Sequence, residues 1–401
     1  MTLPEFRDDV SIHVEEEGGD HYLVLQDAFG YAEGPIMVHS DMLQIIEACN
    51  GITTYSELAE AAEVDIDSKE MMRLKAFVSK LSEMGYLHDA TFEARKKKAI
   101  QEFLAADVRQ PIYVREATDI SFSDIEHLLS NTKPPAKTDT FPASLASETG
   151  TKKIKALLIP HIDFRVATDA YQHAIQVLSE VESDVFVIVG TSHYWYDTPV
   201  VLTTKDFIMG GTRVTTHKEI VADLAEKLGT LNSASDIAHK PEHSIEMHVA
   251  LLKLARGERP FSIVPILIAG GAHSETEISV MRQVADIVKG AIQTHAPNAF
   301  WMISGDLAHV GLKFGDELRA DEISDAVQKA DADILKSLEN VDIAAYIKNS
   351  TLPELNQRIC GLGPTAVVLG ALQPAAGTVL HYGVWEEEET GSAVSYATVQ
   401  F

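Results

Sequence analysis

Cysteine is scarce in this chain. Two residues in 401, Cys49 and Cys360, leave no disulfide framework to hold a fold together, and such sparing use fits a reducing compartment. Positive charge is also scarce: 33 Lys and Arg face 60 Asp and Glu, a formal net charge of −27. That balance repels phosphate backbones and anionic lipid unless basic residues concentrate somewhere, and only Arg95 to Lys98 do so. No apolar run reaches the roughly 20 residues of a membrane-spanning helix. The opening MTLPEFRDDVS lacks the basic start and apolar stretch of a signal peptide. Neither nucleic acid nor membrane is therefore expected as a partner, and a cytoplasmic location is the expectation. What is present, 45% hydrophobic and 23% charged residues, is the composition of ordinary globular protein. A chain of this length predicts a small domain and a large one, each with its own core.

Residues 11–25, SIHVEEEGGDHYLVL, alternate apolar with polar around Gly-Gly-Asp and predict a β-hairpin. Ser40 is the expected cap of a helix in DMLQIIEAC, and two more amphipathic helices follow in SELAEAAEV and KEMMRLKAFVSKLSEMG, the last stopping at Gly85. Hairpin, three helices and a terminal strand predict a winged-helix-like domain over 1–95. FEARKKKAIQEFLAAD predicts another helix, and the Pro-, Ser- and Thr-rich 131–153 a linker, so 96–153 is assigned as helix plus linker. Beyond it come IKALLIP, DVFVIVG, FSIVPILIAG and AFWMISG, alternating with helical patterns. Unbroken apolar runs of this length belong to strands covered on both faces. The segment 154–401 is therefore expected to be α/β, with a mixed, mainly parallel central sheet and flanking helices.

In such sheets ligands gather beyond the carboxyl ends of the strands. Three of the runs end in a histidine motif: His161-Ile162-Asp163-Phe164, Thr191-Ser192-His193-Tyr194 and Asp306-Leu307-Ala308-His309. A single strand-end histidine is ordinarily a hydrogen-bonded structural residue, whereas three at equivalent points favour convergence. A fourth cluster, Glu242-His243-Ser244-Ile245-Glu246-Met247-His248, places His243 and Glu246 one turn apart if a helix starts there. They form a candidate general base and its carboxylate, the alternative being a helix start with acidic residues favoured by the dipole. Cys360 precedes Gly361-Leu362-Gly363-Pro364 and an apolar helical run, a setting in which a helix N-terminus would favour the thiolate. A lone cysteine is otherwise a small buried hydrophobe, and Cys49, at the end of an amphipathic helix, is read that way.

Taken in order, PHIDF, GTSHYWY, EHSIEMH, VPILIAG, SGDLAHVG, CGLGP and SAVSYATVQF resemble the Memo-like family, also called AmmeMemoRadiSam system protein B. That family resembles in fold the class III extradiol dioxygenases. The resemblance implies metal ligands at His161, His193 and Cys360, with His243, Asp306 and His309 lining the same pocket. His243 or His309 would move protons, with Asp306 or Glu246 fixing the tautomer. Where the family usually carries Ala-Gly-Tyr after its first histidine, this chain has Ile162-Asp163-Phe164. The implied cofactor is a divalent metal, Fe(II) first, with Zn or Cu as alternatives. The implied activity is that of a metal-dependent oxidoreductase working with a radical-SAM protein and an AMME-type protein. The alternative is a non-catalytic metal- or peptide-binding protein on the same fold. Residues 1–95 resemble, more loosely, the PqqD-like winged-helix domains that recognise peptides. Their 20 acidic against 6 basic residues speak for a peptide at a hairpin edge and against DNA.

Overall fold

The computed structural model describes residues 2–114, 120–130, 154–194, 197–353 and 355–401. The linker expected at 131–153 lies outside the described residues. The chain divides into two compact units, Met1–Ala106 and Asp107–Phe401.

The first unit holds β1 (Glu5–Phe6), β2 (Val10–Glu17), β3 (Asp20–Asp27), β4 (Ile36–His39), α1 (Leu43–Ala48), α2 (Tyr55–Ala61), α3 (Lys69–Met84), β5 (Leu87–His88) and α4 (Ala90–Ala105). The hairpin is there: Glu17 pairs with Asp20 across Gly18 and Gly19, whose φ values of 66° and 92° make the two-residue turn that only glycine enters freely. β4 adds antiparallel to β3, and β1 pairs with β5. Thr54 and Glu57 form a reciprocal cap on α2, Ser68 caps α3, and Gly85 ends it with φ 87°. Ser40 is not the cap the sequence suggested. Ser40–Met42 is a 3₁₀ turn capped by His39, and α1 begins only at Leu43.

Under these elements Arg7 is 1% exposed. It donates to Asp9, to Asp27 at 3.1 Å and to Gly85 O at 2.8 Å, and lies 4.4 Å from the Phe92 ring. Asp27 also accepts the amides of Phe29, Tyr31 and Ala32. Burial pushes the Asp27 carboxyl up, but the hydrogen bonds from Arg7 and Ala32 outweigh it, and its pKa falls below the ordinary 3.8. A depressed carboxyl contributes stability above its unfolded pKa and loses it as pH falls through the folded value. Hydrogen exchange of the β2–β3 amides in the full chain should therefore accelerate only below about pH 4. Asp27→Ala should cost this unit about 1–3 kcal/mol at neutral pH, by leaving the Phe29, Tyr31 and Ala32 amides without their acceptor while Asp9 still pairs Arg7. Unchanged exchange in that variant would show the pair to be dispensable.

The second unit contains β6 (Val108–Arg109), α5 (Phe122–Ser130), β7 (Ala156–Ile159), α6 (Thr168–Glu180), β8 (Val185–Thr191), β9 (Val200–Leu202), β10 (Asp206–Met209), β11 (Thr212–Thr216), α7 (Lys218–Leu228), α8 (Ser244–Arg256), β12 (Ser262–Ile268), α9 (Glu275–His295), β13 (Phe300–Ser304), β14 (His309–Gly311), α10 (Ala320–Glu339), α11 (Ile343–Ser350), α12 (Leu362–Leu372), β15 (Thr378–Glu387) and β16 (Ser392–Gln400). It is α/β. Among the described residues eleven strands share one mixed sheet, whose main path runs β14-β16-β7-β13-β8-β12-β11-β10-β6. Its centre, β7-β13-β8-β12, is parallel, while β16 joins β7 antiparallel. Alternate residues of each central strand enter different cores. Leu158, Val187, Val264 and Trp301 pack with α7, α9 and α12 residues, and Leu157, Phe186, Ile263 and Phe300 with α6 and α8 residues. Two covered faces are why these strands lack polar alternation. No helix among the described residues is long and apolar enough to cross a membrane.

Candidate functional site

Parallel strands carry their C-terminal residues to one edge of the sheet, and β7, β8 and β13 stand side by side there. His161 follows β7, His193 follows β8, and Asp306 follows β13. Cys360 arrives on the turn before α12, and that turn fits because of glycine. A Cβ on Gly305 would stand 2.2 Å from Gly361 Cα, so the two backbones meet where no side chain has room. Gly361 N then donates to Asp306 O at 3.2 Å, and Thr191 Oγ1 to Cys360 O at 2.7 Å. Pro364 is the third residue of α12 rather than the first, still within the turn whose N–H groups need no intrahelical partner.

One donor atom from each of His161, His193 and Cys360 lies within 4.8 Å of the others. Cys360 Sγ is 3.2 Å from His161 Nε2 and is hydrogen-bonded to His193 as well. The far nitrogen of each ring is already committed. Ser304 Oγ gives its own proton to Ser244 O at 2.8 Å, so it accepts from His161 Nδ1 at 3.0 Å. This fixes the tautomer that leaves Nε2 a bare lone pair toward the sulfur. His193 Nδ1 donates to Glu242 Oε1 at 2.9 Å. The same carboxylate accepts the backbone N–H of His193, His243 and Ser244. Burial would raise its pKa, yet the charge and hydrogen bond of His193 hold it well below the usual range.

The other expected residues are close by. The His243 ring lies 5.1 Å from that of His161 and 4.9 Å from that of His193, and burial takes its pKa down to about 4. Asp306, His309 and Cys360 form a second trio within 4.8 Å. His309 Nδ1 donates to Leu307 O at 3.1 Å, and burial lowers it to about 4. Burial raises Asp306 to about 7, although its Oδ1 accepts His161 N–H at 3.0 Å. Burial also pushes the Cys360 thiol up, against the lowering effect of its hydrogen bond with His193. A cation between sulfur and imidazoles would supply the missing charge.

Glu246 differs from its expected role. Its carboxylate pairs with Arg109 at 2.6 Å and accepts the amides of Ile112, Tyr113 and Val114, leaving Glu242 as the carboxylate that holds a histidine. His243 is the residue before α8, not within it, so the i, i+3 pairing with Glu246 does not form. Ser304, Arg109 and Tyr113 were not anticipated. Ser304 carried a signal, a polar residue ending an apolar strand, whereas Arg109 and Tyr113 lie in the stretch assigned as helix and linker. Trp195 and Tyr196 of the GTSHYWY motif lie outside the described residues.

The fold and cluster define an α/β protein with a His/His/Cys group at metal-ligand spacing. The chain belongs to the Memo-like protein family, whose pattern matches residues 123–400. A MEMO1 family protein of Aquifex aeolicus is 24% identical over 393 residues, 96% of this chain and 96% of that one. Another from Methanosarcina mazei is 26% identical over 234 residues, covering 58% of this chain and 79% of that protein. One from Thermococcus kodakarensis is 25% identical over 279 residues, 66% of this chain and 92% of its own length.

Glu242→Ala would strand the donors that now converge on its oxygens, at about 1–3 kcal/mol for each one left buried. Thermal unfolding of the full chain should show a loss of about 3 kcal/mol or more, and Glu242→Gln, which keeps one oxygen acceptor, a smaller one. Wild-type stability in Glu242→Ala would mean that water replaces the carboxylate without cost.

Proposed function

We propose that the strand-end cluster binds a divalent metal ion through His161, His193 and Cys360, and that the protein is a metal-dependent oxidoreductase. The observation that carries this reading is the arrangement of donors. Three side chains from three separate segments come within 4.8 Å of one another, and each histidine's remote nitrogen is anchored by a group that orients the ring. Ligands bound to one ion at about 2.0–2.3 Å stand roughly 3–4 Å apart, and the 3.2 Å between Cys360 Sγ and His161 Nε2 fits. Two imidazoles and a thiolate suit Fe(II), the metal we favour, with Zn(II) and Cu competing for the same set. When bound, such an ion supplies Lewis acidity and, for iron or copper, one-electron chemistry. His243 and His309, kept neutral by burial, are the groups to accept or give a proton, and Asp306 holds the His161 backbone in place. A radical-SAM protein and an AMME-type protein are the proposed partners. For the first unit we propose a winged-helix-like, PqqD-like role in binding a peptide. β2 is an edge of its sheet among the described residues, with Val14 67% and Ile12 38% exposed, the arrangement that β-strand addition uses.

Full-length protein prepared without oxygen should carry about one metal ion per chain. Cys360→Ser and His161→Ala should lose most of it. Serine is close to cysteine in size, so once metal has been chelated from both proteins Cys360→Ser should keep its thermal stability within about 1 kcal/mol of wild type. Equal metal content in wild type and Cys360→Ser would remove Cys360 from the site.

A further inference from the structure

The segment just upstream of the family match contributes to the cluster. Arg109 is 2% exposed. Its Nε donates to His239 O at 2.7 Å, its Nη2 to Glu242 O at 2.5 Å and its Nη1 to Glu246 Oε2 at 2.6 Å. Three residues on, the chain curls round the same carboxylate. The N–H groups of Ile112, Tyr113 and Val114 reach Glu246 at 3.0, 2.9 and 2.7 Å. An anion held by a buried guanidinium and three successive amides is a firm clasp, because opening it strands both charges. The clasp fixes Tyr113. Its ring centroid stands 6.2 Å from that of His243, and its phenol is hydrogen-bonded to Asp163, two residues beyond His161.

We infer that Asp107–Val114 is a clasped strap completing the wall of this site, and that Tyr113 is the positioning residue through which it restricts the site to small ligands. The inference rests on the metal-site reading above. The strap ties together the two segments that carry His161 and His243, and sets an aromatic ring against the imidazole that itself packs on His161 and His193. A phenol is uncharged at neutral pH even when unperturbed, and burial, then the charge of Asp163, raises that of Tyr113 further, so the ring is a neutral wall. Bulky ligands meet the ring on that side, while small anions need less room. A core cut at the family boundary of residue 123 would lack both Arg109 and Tyr113.

The test uses the full chain loaded with Co(II), titrated with azide and separately challenged with 4-(2-pyridylazo)resorcinol, a broad planar chelator. Tyr113→Ala should take up as much Co(II) as wild type, keep azide affinity within about twofold, and lose metal to the chelator about tenfold faster or more. Tyr113→Phe, which keeps the ring, should strip at the wild-type rate. Glu246→Gln should speed hydrogen exchange at the Ile112–Val114 amides and accelerate stripping in the same way. If that variant fails to fold, Tyr113→Ala still carries the test, since it leaves the Arg109–Glu246 pair in place. Equal stripping by Tyr113→Ala and wild type would overturn the strap's role while leaving the metal site standing. Failure of the wild type to take up Co(II) would overturn both.

Discussion

A carboxylate taken wholly out of water must be met by donors, and the chain at and just before the start of α8 buries two of them four residues apart. Glu242 and Glu246 are 1% and 0% exposed. One gathers His193, His243 and Ser244; the other gathers Arg109 and the amides of 112–114. Each pays its desolvation by fixing a different segment, and Arg109 links them by donating to the Glu242 carbonyl as well. The geometry of the imidazoles and the course of the upstream segment are thus set at the same short stretch of chain. Loosening either carboxylate should be felt at the other.

The central sheet was legible because burial on both faces leaves an unmistakable mark. ALLI, VFVIVGT, SIVPILI and FWMIS are β7, β8, β12 and β13, and the histidines that follow them had to fall at one edge once the strands were parallel. Cys360 was legible from the glycines around it, which prove to mark a backbone contact with Gly305. Less visible were elements whose pattern is weaker. β10 and β11 are short, and β6 has two residues whose ladder partner is about a hundred positions away. α10 and α11 were not singled out, although Val327, Ile334 and Leu335 follow a helical period.

Within the site, residue types were readable and pairings were not. Glu242 and Glu246 are chemically alike and four apart, and spacing on a helix presumes that the helix has begun. Because α8 begins at Ser244, Glu242 lies before it and is free to turn back toward His193. Tyr113 and Arg109 illustrate a further limit. The partners of Arg109 lie more than a hundred residues downstream and the Tyr113 phenol's partner, Asp163, about fifty, and no local period announces such contacts.

The order of the strands also constrains when the site can exist. His161 and Cys360 are 199 residues apart, and β16 slots beside β7 through Val399 and Leu158. A growing chain on the ribosome therefore exposes His161 and His193 long before the thiol that accompanies them has been translated. β16, which follows Cys360 in the chain, lies inside the sheet and not at its rim. All three side chains of the His/His/Cys group can thus meet only after Cys360 has been made, and the sheet beneath His161 is complete only once β16 has paired with β7.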